Sequence, residues 1–312
     1  MIPHEGSPLE FEAQVIAAFG RHLIVRDDAG REHAARPFGR RLAIVCGDRL
    51  RCRTDESHGE VHAIEVLPRR SALLRSSARG DPEAIVANIS LLAVVVAPAP
   101  APDLFMVDRY LCAAASNSIH ALLVLNKADL PGRAELLASL QPLQAAGYPI
   151  VECTARGDGD VAALATALAG HTSALVGQSG VGKSSLVGQL VPEATVLTGE
   201  LDRELEGRHT TTSSRLYDLQ GGGKLIDSPG VRDFAPAIQG LEPGSLGFVE
   251  VDRLSPGCRF MDCRHMREPG CAVIAAATAG TLDPRRYESY RRLRRLFEEL
   301  TAAQGPSRRG HR

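Results

Sequence analysis

Apolar and polar residues change rhythm twice along this chain. From residue 1 to about residue 75 the pattern is one of short alternating runs. FEAQVIAAFGRHLIVRD (11–27) alternates and is broken by Gly20, a turn signal follows at Asp27-Asp28-Ala29-Gly30, and GDRLRCRT (47–54) and GEVHAIEVLP (59–68) resume the pattern. Short strands separated by close turn signals predict a small β-barrel over residues 1–75.

From about residue 80 the apolar runs lengthen and become continuous. SLLAVVVA (90–97) has the texture of a strand buried on both faces. Helical spacing follows at Phe105, Val107, Leu111 and Ala114. HALLVLNKADL (120–130) is a second buried strand ending in polar residues, and AELLASLQPLQAAG (134–147) is helical, with Pro142 expected to break it. PIVECTA (149–155) predicts a third strand and DVAALATALAG (160–170) a helix stopped by Gly170. TSALVGQSGVGKSSLVGQL (172–190) predicts strand, glycine loop and helix, and GKLIDSPG (223–230) a further strand ending in an acid. Strands alternating with helices at this length predict an α/β domain over residues 76–236, a parallel sheet with helices on both faces. Ligands of such sheets gather at the carboxyl ends of the strands, where each polar tetrad falls.

Beyond Phe234 the pattern stops. Pro and Gly are dense between 236 and 257, a cysteine cluster follows, and CAVIAAATAG and DPRRYESYRRLRRLFEEL predict helices within a third unit, 237–312.

Composition adds a globular character, with 44% hydrophobic and 23% charged residues among 312. The net charge of −1 hides an asymmetry: thirteen arginines against six acidic residues from Arg253 onward leave +7 there and −8 before it. A basic C-terminal unit fits a polyanion such as RNA, or a solvated helix face. No early stretch reads as a signal peptide and no apolar run has the length of a membrane span, so the cytoplasm is the expected compartment. In a reducing compartment clustered cysteines read as metal ligands. Cys46, Cys52, Cys112 and Cys153 show no ligand spacing and are expected to be small buried residues.

The motifs carry the chemistry. Gly177-Gln178-Ser179-Gly180-Val181-Gly182-Lys183-Ser184, continued by Ser185, fits a phosphate loop between strand and helix. Its glycines let backbone N–H groups face phosphate oxygens, Lys183 is expected to reach the β- and γ-phosphates, and Ser184 to ligate Mg²⁺. Asn126-Lys127-Ala128-Asp129 ends a buried strand. The Asp129 carboxylate suits the paired donors of guanine, which adenine lacks, so GTP is the expected nucleotide. Thr154-Ala155 ends the next strand and is expected to hold the base through backbone N–H groups. Asp227-Ser228-Pro229-Gly230 fits the segment that meets Mg²⁺ through Asp227 and the γ-phosphate through the Gly230 N–H. Between them, Gly207-Arg208-His209-Thr210-Thr211-Thr212 reads as a switch loop, with Thr211, or Thr212 in its place, as the second Mg²⁺ ligand. Many GTPases carry a water-orienting Gln after the Asp-x-x-Gly segment. Here that position is Val231, which leaves His209 to position the attacking water and predicts slow turnover until a partner orders the loop.

The order of these motifs is rotated: the base-reading loop precedes the phosphate loop, and Gly170-His171 bridges the usual ends of the domain. The segment after Gly230 is thereby joined to Cys258, Cys263, His265 and Cys271, a C-x4-C-x-H-x5-C set suited to one structural Zn²⁺.

NKAD at 126–129, GQSGVGKSS at 177–185, GRHTTT at 207–212, DSPG at 227–230 and the three-cysteine, one-histidine set together resemble one family, the circularly permuted GTPases that assist late maturation of the bacterial small ribosomal subunit (RsgA or YjeQ). The resemblance covers nearly the whole chain. It implies an OB-like barrel, a circularly permuted P-loop GTPase domain and a zinc-binding helical domain. It also implies GTP hydrolysis stimulated by the small subunit, rRNA contacts from the flanking domains and a cytoplasmic monomer without a membrane partner. Thr154 stands where the family has Ser, and Arg rather than Lys is left to carry phosphate contacts.

Overall fold

The computed structural model describes residues 10–303 apart from 21, 40–41, 56–58, 78–79, 157–158, 192–213 and 233. Strands β1 (Glu10–Phe19), β2 (His22–Asp27), β3 (Glu32–Pro37), β4 (Arg49–Thr54) and β5 (Val61–Val66) close into a barrel in the order β1-β2-β3-β5-β4-β1, antiparallel except for β3–β5. Alternate residues point inward. Ala13, Val15, Leu23, Val25, Leu50, Cys52, Val61 and Ala63 fill the centre, small side chains that a five-stranded barrel can enclose. The β2–β3 turn is tied by Asp27, whose carboxylate accepts the N–H groups of Ala29 and Arg31.

A two-stranded hairpin, β6 (Ala72–Ser76) and β7 (Pro82–Ala87), leads into the central domain. There β8 (Leu91–Val96), α1 (Leu104–Ser116), β9 (His120–Leu125), α2 (Arg133–Ala146), β10 (Ile150–Glu152) and α3 (Ala162–Leu168) come first. They are followed by β11 (Thr172–Val176), α4 (Lys183–Leu190), β12 (Ser214–Asp218), β13 (Lys224–Asp227) and the short α5 (Pro229–Arg232). The sheet order is β10-β9-β8-β11-β13-β12, with the first five parallel and β12 antiparallel. The continuous apolar run of β8 now has its reason. Leu92, Val94 and Val96 pack with Leu111 of α1 and Leu140 of α2, while Leu91, Ala93 and Val95 pack with Leu168 of α3 and Leu186 of α4. Burying both faces in this way removes the polar half of the usual alternation.

Helix α2 corrects one expectation. It runs unbroken through Pro142. The carbonyl that loses its N–H partner belongs to Ala138, which is exposed and open to water, while buried Leu136, Leu140, Leu143 and Ala146 hold both halves of the helix on the sheet.

The barrel is not merely tethered. Ala17 and Ala18 of β1 pair with Arg215 and Ser214 of β12, so barrel and central sheet form one eleven-stranded ladder. Arg26 of β2 reaches Asp218 at 2.6 Å, and Lys224 donates to Gln14 at 2.9 Å across the same seam. Nothing in the alternation pattern anticipated this join.

The C-terminal unit contains α6 (Val249–Leu254), α7 (Ala272–Thr278) and α8 (Pro284–Ala303). Its core includes Cys112 and Ala113 of α1, so it is packed directly on the central domain. Gly247 makes that approach possible: it has a φ of 80°, and a Cβ there would sit 2.3 Å from the Cys112 carbonyl oxygen. Fully buried Asp108 of α1 takes Arg285 and Arg286 of α8, each at 2.7 Å, and Arg286 also grips Glu250 of α6 with two bonds of 2.7 Å. Arg294, also buried, donates to the carbonyls of Pro243 and Gly244. Part of the basic charge read from the sequence is therefore spent inside the unit. Among the described residues no helix is long and apolar enough to cross a membrane.

Asp108→Ala would leave two guanidinium groups without their buried carboxylate. A loss of about 3–5 kcal/mol is expected, seen as a lower urea midpoint for the C-terminal unit. An unchanged midpoint would show that the network contributes nothing there.

Candidate functional site

The carboxyl ends of β9, β10 and β11 open on a cavity of about 590 Å³. Asn126, Lys127, Asp129, Thr154 and Ala155 form one wall, and Ser179, Gly180, Gly182, Lys183, Ser184 and Ser185 form the other. Two residues that sequence reasoning passed over, Leu130 and Arg156, complete it. Their only signal is position, each being the next residue after a recognised motif.

Asn126 is the joint between the walls. Its amide nitrogen donates to the Val181 carbonyl at 2.8 Å, and its amide oxygen accepts the Ala155 N–H at 3.1 Å. The Ala155 N–H, assigned to the base by sequence, thus serves the loop in this conformation. Gly182 is required beside Asn126, because at its φ of 99° a Cβ would lie 2.3 Å from the amide nitrogen. Lys127, itself in the left-handed region, donates to the carbonyls of Ala99 and Gly180, both at 2.7 Å. The Ala128 N–H donates to the Cys153 carbonyl at 3.2 Å, which turns the tetrad so that Asp129 faces the cavity.

Across the cavity, Lys183 is buried at the start of α4, with Nζ bonded to the carbonyls of Gly177 at 2.6 Å and Gln178 at 2.8 Å. These bonds curl the loop around the ammonium at the start of α4, and a glycine loop leading into a helix N-terminus is suited to receive an anion. Gly177, Gln178 and Val181 line a second cavity of about 530 Å³ behind the loop, enclosed by α1 and by Phe234 and Ala235, and Ser179 borders both cavities. Asp227 ends β13 and Gly230 lies in α5, outside the lining of the first cavity. Val231 is buried, in keeping with an apolar side chain at that position. His209, Thr211 and the rest of the 207–212 loop lie outside the described residues.

At the other end of the chain, Cys258, Cys263, His265 and Cys271 bring three sulfurs and one imidazole nitrogen within 4.8 Å of one another. The Sγ atoms of Cys258 and Cys271 are 3.8 Å apart, and His265 Nδ1 lies 3.5 Å and 3.4 Å from them. A tetrahedral ion with metal–sulfur bonds of about 2.3 Å has sulfur–sulfur edges of about 3.8 Å, so the donor set fits such an ion. Burial pushes the Cys263 thiol up to about 12 and raises Cys271, and burial, followed by Arg294, lowers His265. Packed together without a cation these groups favour their neutral forms. A divalent ion would supply the charge that makes thiolates of the cysteines and would take the imidazole in its neutral form. The turn that presents His265 has a φ of 58°, and the hydroxyls of Tyr287 and Tyr290 donate to the carbonyls of His265 and Arg264, both at 2.9 Å. The other four cysteines, Cys46, Cys52, Cys112 and Cys153, are buried singly.

The model of the RsgA GTPase family matches residues 66–236. The small ribosomal subunit biogenesis GTPase RsgA of Azotobacter vinelandii is 42% identical over 299 residues, covering 93% of this chain and 87% of that protein. The protein of the same name from Pseudomonas aeruginosa is 40% identical over 295 residues, with the same coverage. Among solved structures, YjeQ from Thermotoga maritima gives a TM-score of 0.70 at 28% identity over 94% of this chain and 99% of that one. YloQ, described as a circularly permuted GTPase, gives 0.69 at 22% identity over 97% and 99%, a likeness of fold. A family match over more than half the chain, with relatives at 40% identity or more along nearly all of it, leaves one assignment: this chain belongs to the RsgA GTPase family.

Proposed function

We propose that this chain is a GTP-driven assembly factor that binds the small ribosomal subunit, assists its late maturation, and leaves when the subunit stimulates hydrolysis. The observation that carries the reading is the single cavity in which the Asn126–Asp129 loop faces the phosphate loop, in a chain whose relatives are named small ribosomal subunit biogenesis GTPase.

In this reading Asp129 accepts from N1 and the exocyclic amine of guanine, Lys127 lies along the base, Ala128 holds the turn, and Thr154 and Ala155 border the base. Backbone N–H groups from Gly177 through Ser185 receive the phosphates, and Lys183 turns from the loop carbonyls to the β- and γ-phosphates. Mg²⁺, when bound, neutralises charge that builds on the phosphate oxygens. Ser184 and Thr211 are its proposed ligands, with Thr212 the alternative to Thr211, and Asp227 faces it through water. The Gly230 N–H meets the γ-phosphate, and His209 orients the attacking water in place of the Gln that Val231 replaces.

The proposed division is a barrel (1–75), a GTPase domain (76–236) and a zinc-binding unit (237–312), with Cys258, Cys263, His265 and Cys271 as the zinc ligands. The barrel and the zinc-binding unit supply the rRNA contacts. The protein acts in the cytoplasm as a monomer.

Purified small subunits should raise GTP turnover by at least about tenfold; turnover unmoved by the subunit would contradict the proposal. His209→Ala should reduce the stimulated rate by about a hundredfold while leaving GDP affinity as it was, and an unchanged stimulated rate would remove His209 from catalysis. Asp129→Asn exchanges an acceptor pair for a mixed group. It should weaken GDP binding by about a hundredfold or more and favour xanthosine nucleotides, whose C2 carbonyl accepts from the new amide, as titration with each nucleotide would show. Metal analysis should find one zinc per chain, lost in Cys258→Ser. Zinc retention should also fall as pH is lowered, because protons compete for the same thiolates; full retention in the variant would refute the ligand assignment.

A further inference from the structure

Ser214 is the first residue of β12, and three parts of the protein meet at it. Its backbone is paired with Ala18 of β1, which belongs to the barrel. The next residue, Arg215, is paired with Asp227 at the end of β13. Its hydroxyl donates to the Ser228 hydroxyl at 2.7 Å. Ser228 is buried, and its Oγ lies on the side-chain side of Gly230, 3.5 Å from the point where a Cβ there would stand. The Ser228 carbonyl accepts the Val231 N–H at 2.9 Å and closes the same turn.

We propose that Ser214 is a positioning residue for GTP hydrolysis: its hydroxyl, fixed in place by the barrel ladder, holds Ser228 and with it the Asp227–Gly230 turn in the conformation that meets the γ-phosphate. The inference rests on the reading of Asp227 and Gly230 given above and goes beyond it, since Ser214 lies outside the recognised motifs. Chemistry favours this role over a merely space-filling one. A buried hydroxyl needs a partner, and two hydroxyls facing each other give Ser228 one orientation rather than three. Pairing of Ser214 with Ala18 sets the backbone that carries the donor against the barrel. Movement of the barrel against the central sheet is thereby felt at the Gly230 peptide through a path of one strand width.

The full-length protein with its zinc tests this through GTP turnover at saturating GTP, measured without and with purified small subunits, beside GDP affinity by direct titration. Ser214→Ala and Ser228→Ala should each lower kcat about three- to tenfold and leave GDP affinity within about twofold. The double variant should fall no further than either single one, and Ser214→Thr, which keeps the hydroxyl and suits a strand, should restore the rate. Wild-type kcat in either alanine variant, losses that multiply in the double variant, or failure of Ser214→Thr to restore the rate would overturn the inference. A fall in GDP affinity that matches the fall in kcat would also overturn it, as general damage to the domain. Absence of stimulation in the wild-type protein bears instead on the ribosomal reading, because the comparison of variants stands on intrinsic turnover.

Discussion

The side-chain amide of Asn126 spans the gap between the phosphate loop and the Thr154-Ala155 loop, and the nucleotide site depends on that span. One end holds Val181 and the other holds Ala155. The two loops leave different strands, β11 and β10, and the amide itself comes from β9. Three strand ends thus become one cavity through two hydrogen bonds. The absence of a side chain at Gly182 is the matching constraint, because any Cβ there would clash with the amide nitrogen at 2.3 Å. Neither bond depends on which loop comes first in the chain, and this is why a rotated order of motifs costs the site nothing: a parallel sheet gathers its strand ends on one edge whatever the order of the strands.

What rotation changes is the neighbourhood of the Asp227–Gly230 turn. The chain continues from it into the C-terminal unit, and α1 stands beside that exit. Three consecutive residues of α1 divide the work. Asp108 grips Arg285 and Arg286 of α8, Arg109 donates to the Pro236 carbonyl at 2.7 Å, and Tyr110 donates to the Phe234 carbonyl at 2.8 Å. Tyr287 and Tyr290 of α8 then hold the carbonyls of His265 and Arg264 in the cysteine–histidine turn. The exit of the turn and the candidate metal centre are therefore parts of one packed structure rather than beads on a linker. On the other side, β12 ties the same region to the barrel. The central domain is gripped from both flanks beside the Asp227–Gly230 turn, the segment proposed to meet the γ-phosphate.

Much of this was legible in the sequence because the relevant signals are local. The run at 90–97 announces a strand buried on both faces, Gly177 to Ser184 needs only eight residues to be recognised, and the spacing of Cys258, Cys263, His265 and Cys271 fits a tetrahedral donor set. What escaped is non-local or locally ambiguous. Strand β12 reads SRLYD, with only Leu216 buried, and one of its partners lies roughly two hundred residues away in the barrel. Pro142 signals a break by its own chemistry, and only the buried residues on either side of it keep the helix whole. Charge counting treats all arginines of α8 alike, yet Arg286 and Arg294 are buried and engaged within the protein while others remain exposed. Which atoms the Asn126 amide ties together follows only from three strand ends meeting in space.

The central claim is that this cavity selects and hydrolyses a guanine nucleotide, and turnover of GTP and ATP, each alone and in competition, tests it most directly. The account predicts that the protein releases phosphate from GTP, that unlabelled GTP suppresses turnover of labelled GTP, and that ATP in hundredfold excess leaves it nearly untouched. Equal turnover of the two nucleotides, or suppression by ATP at the concentrations where GTP acts, would contradict it.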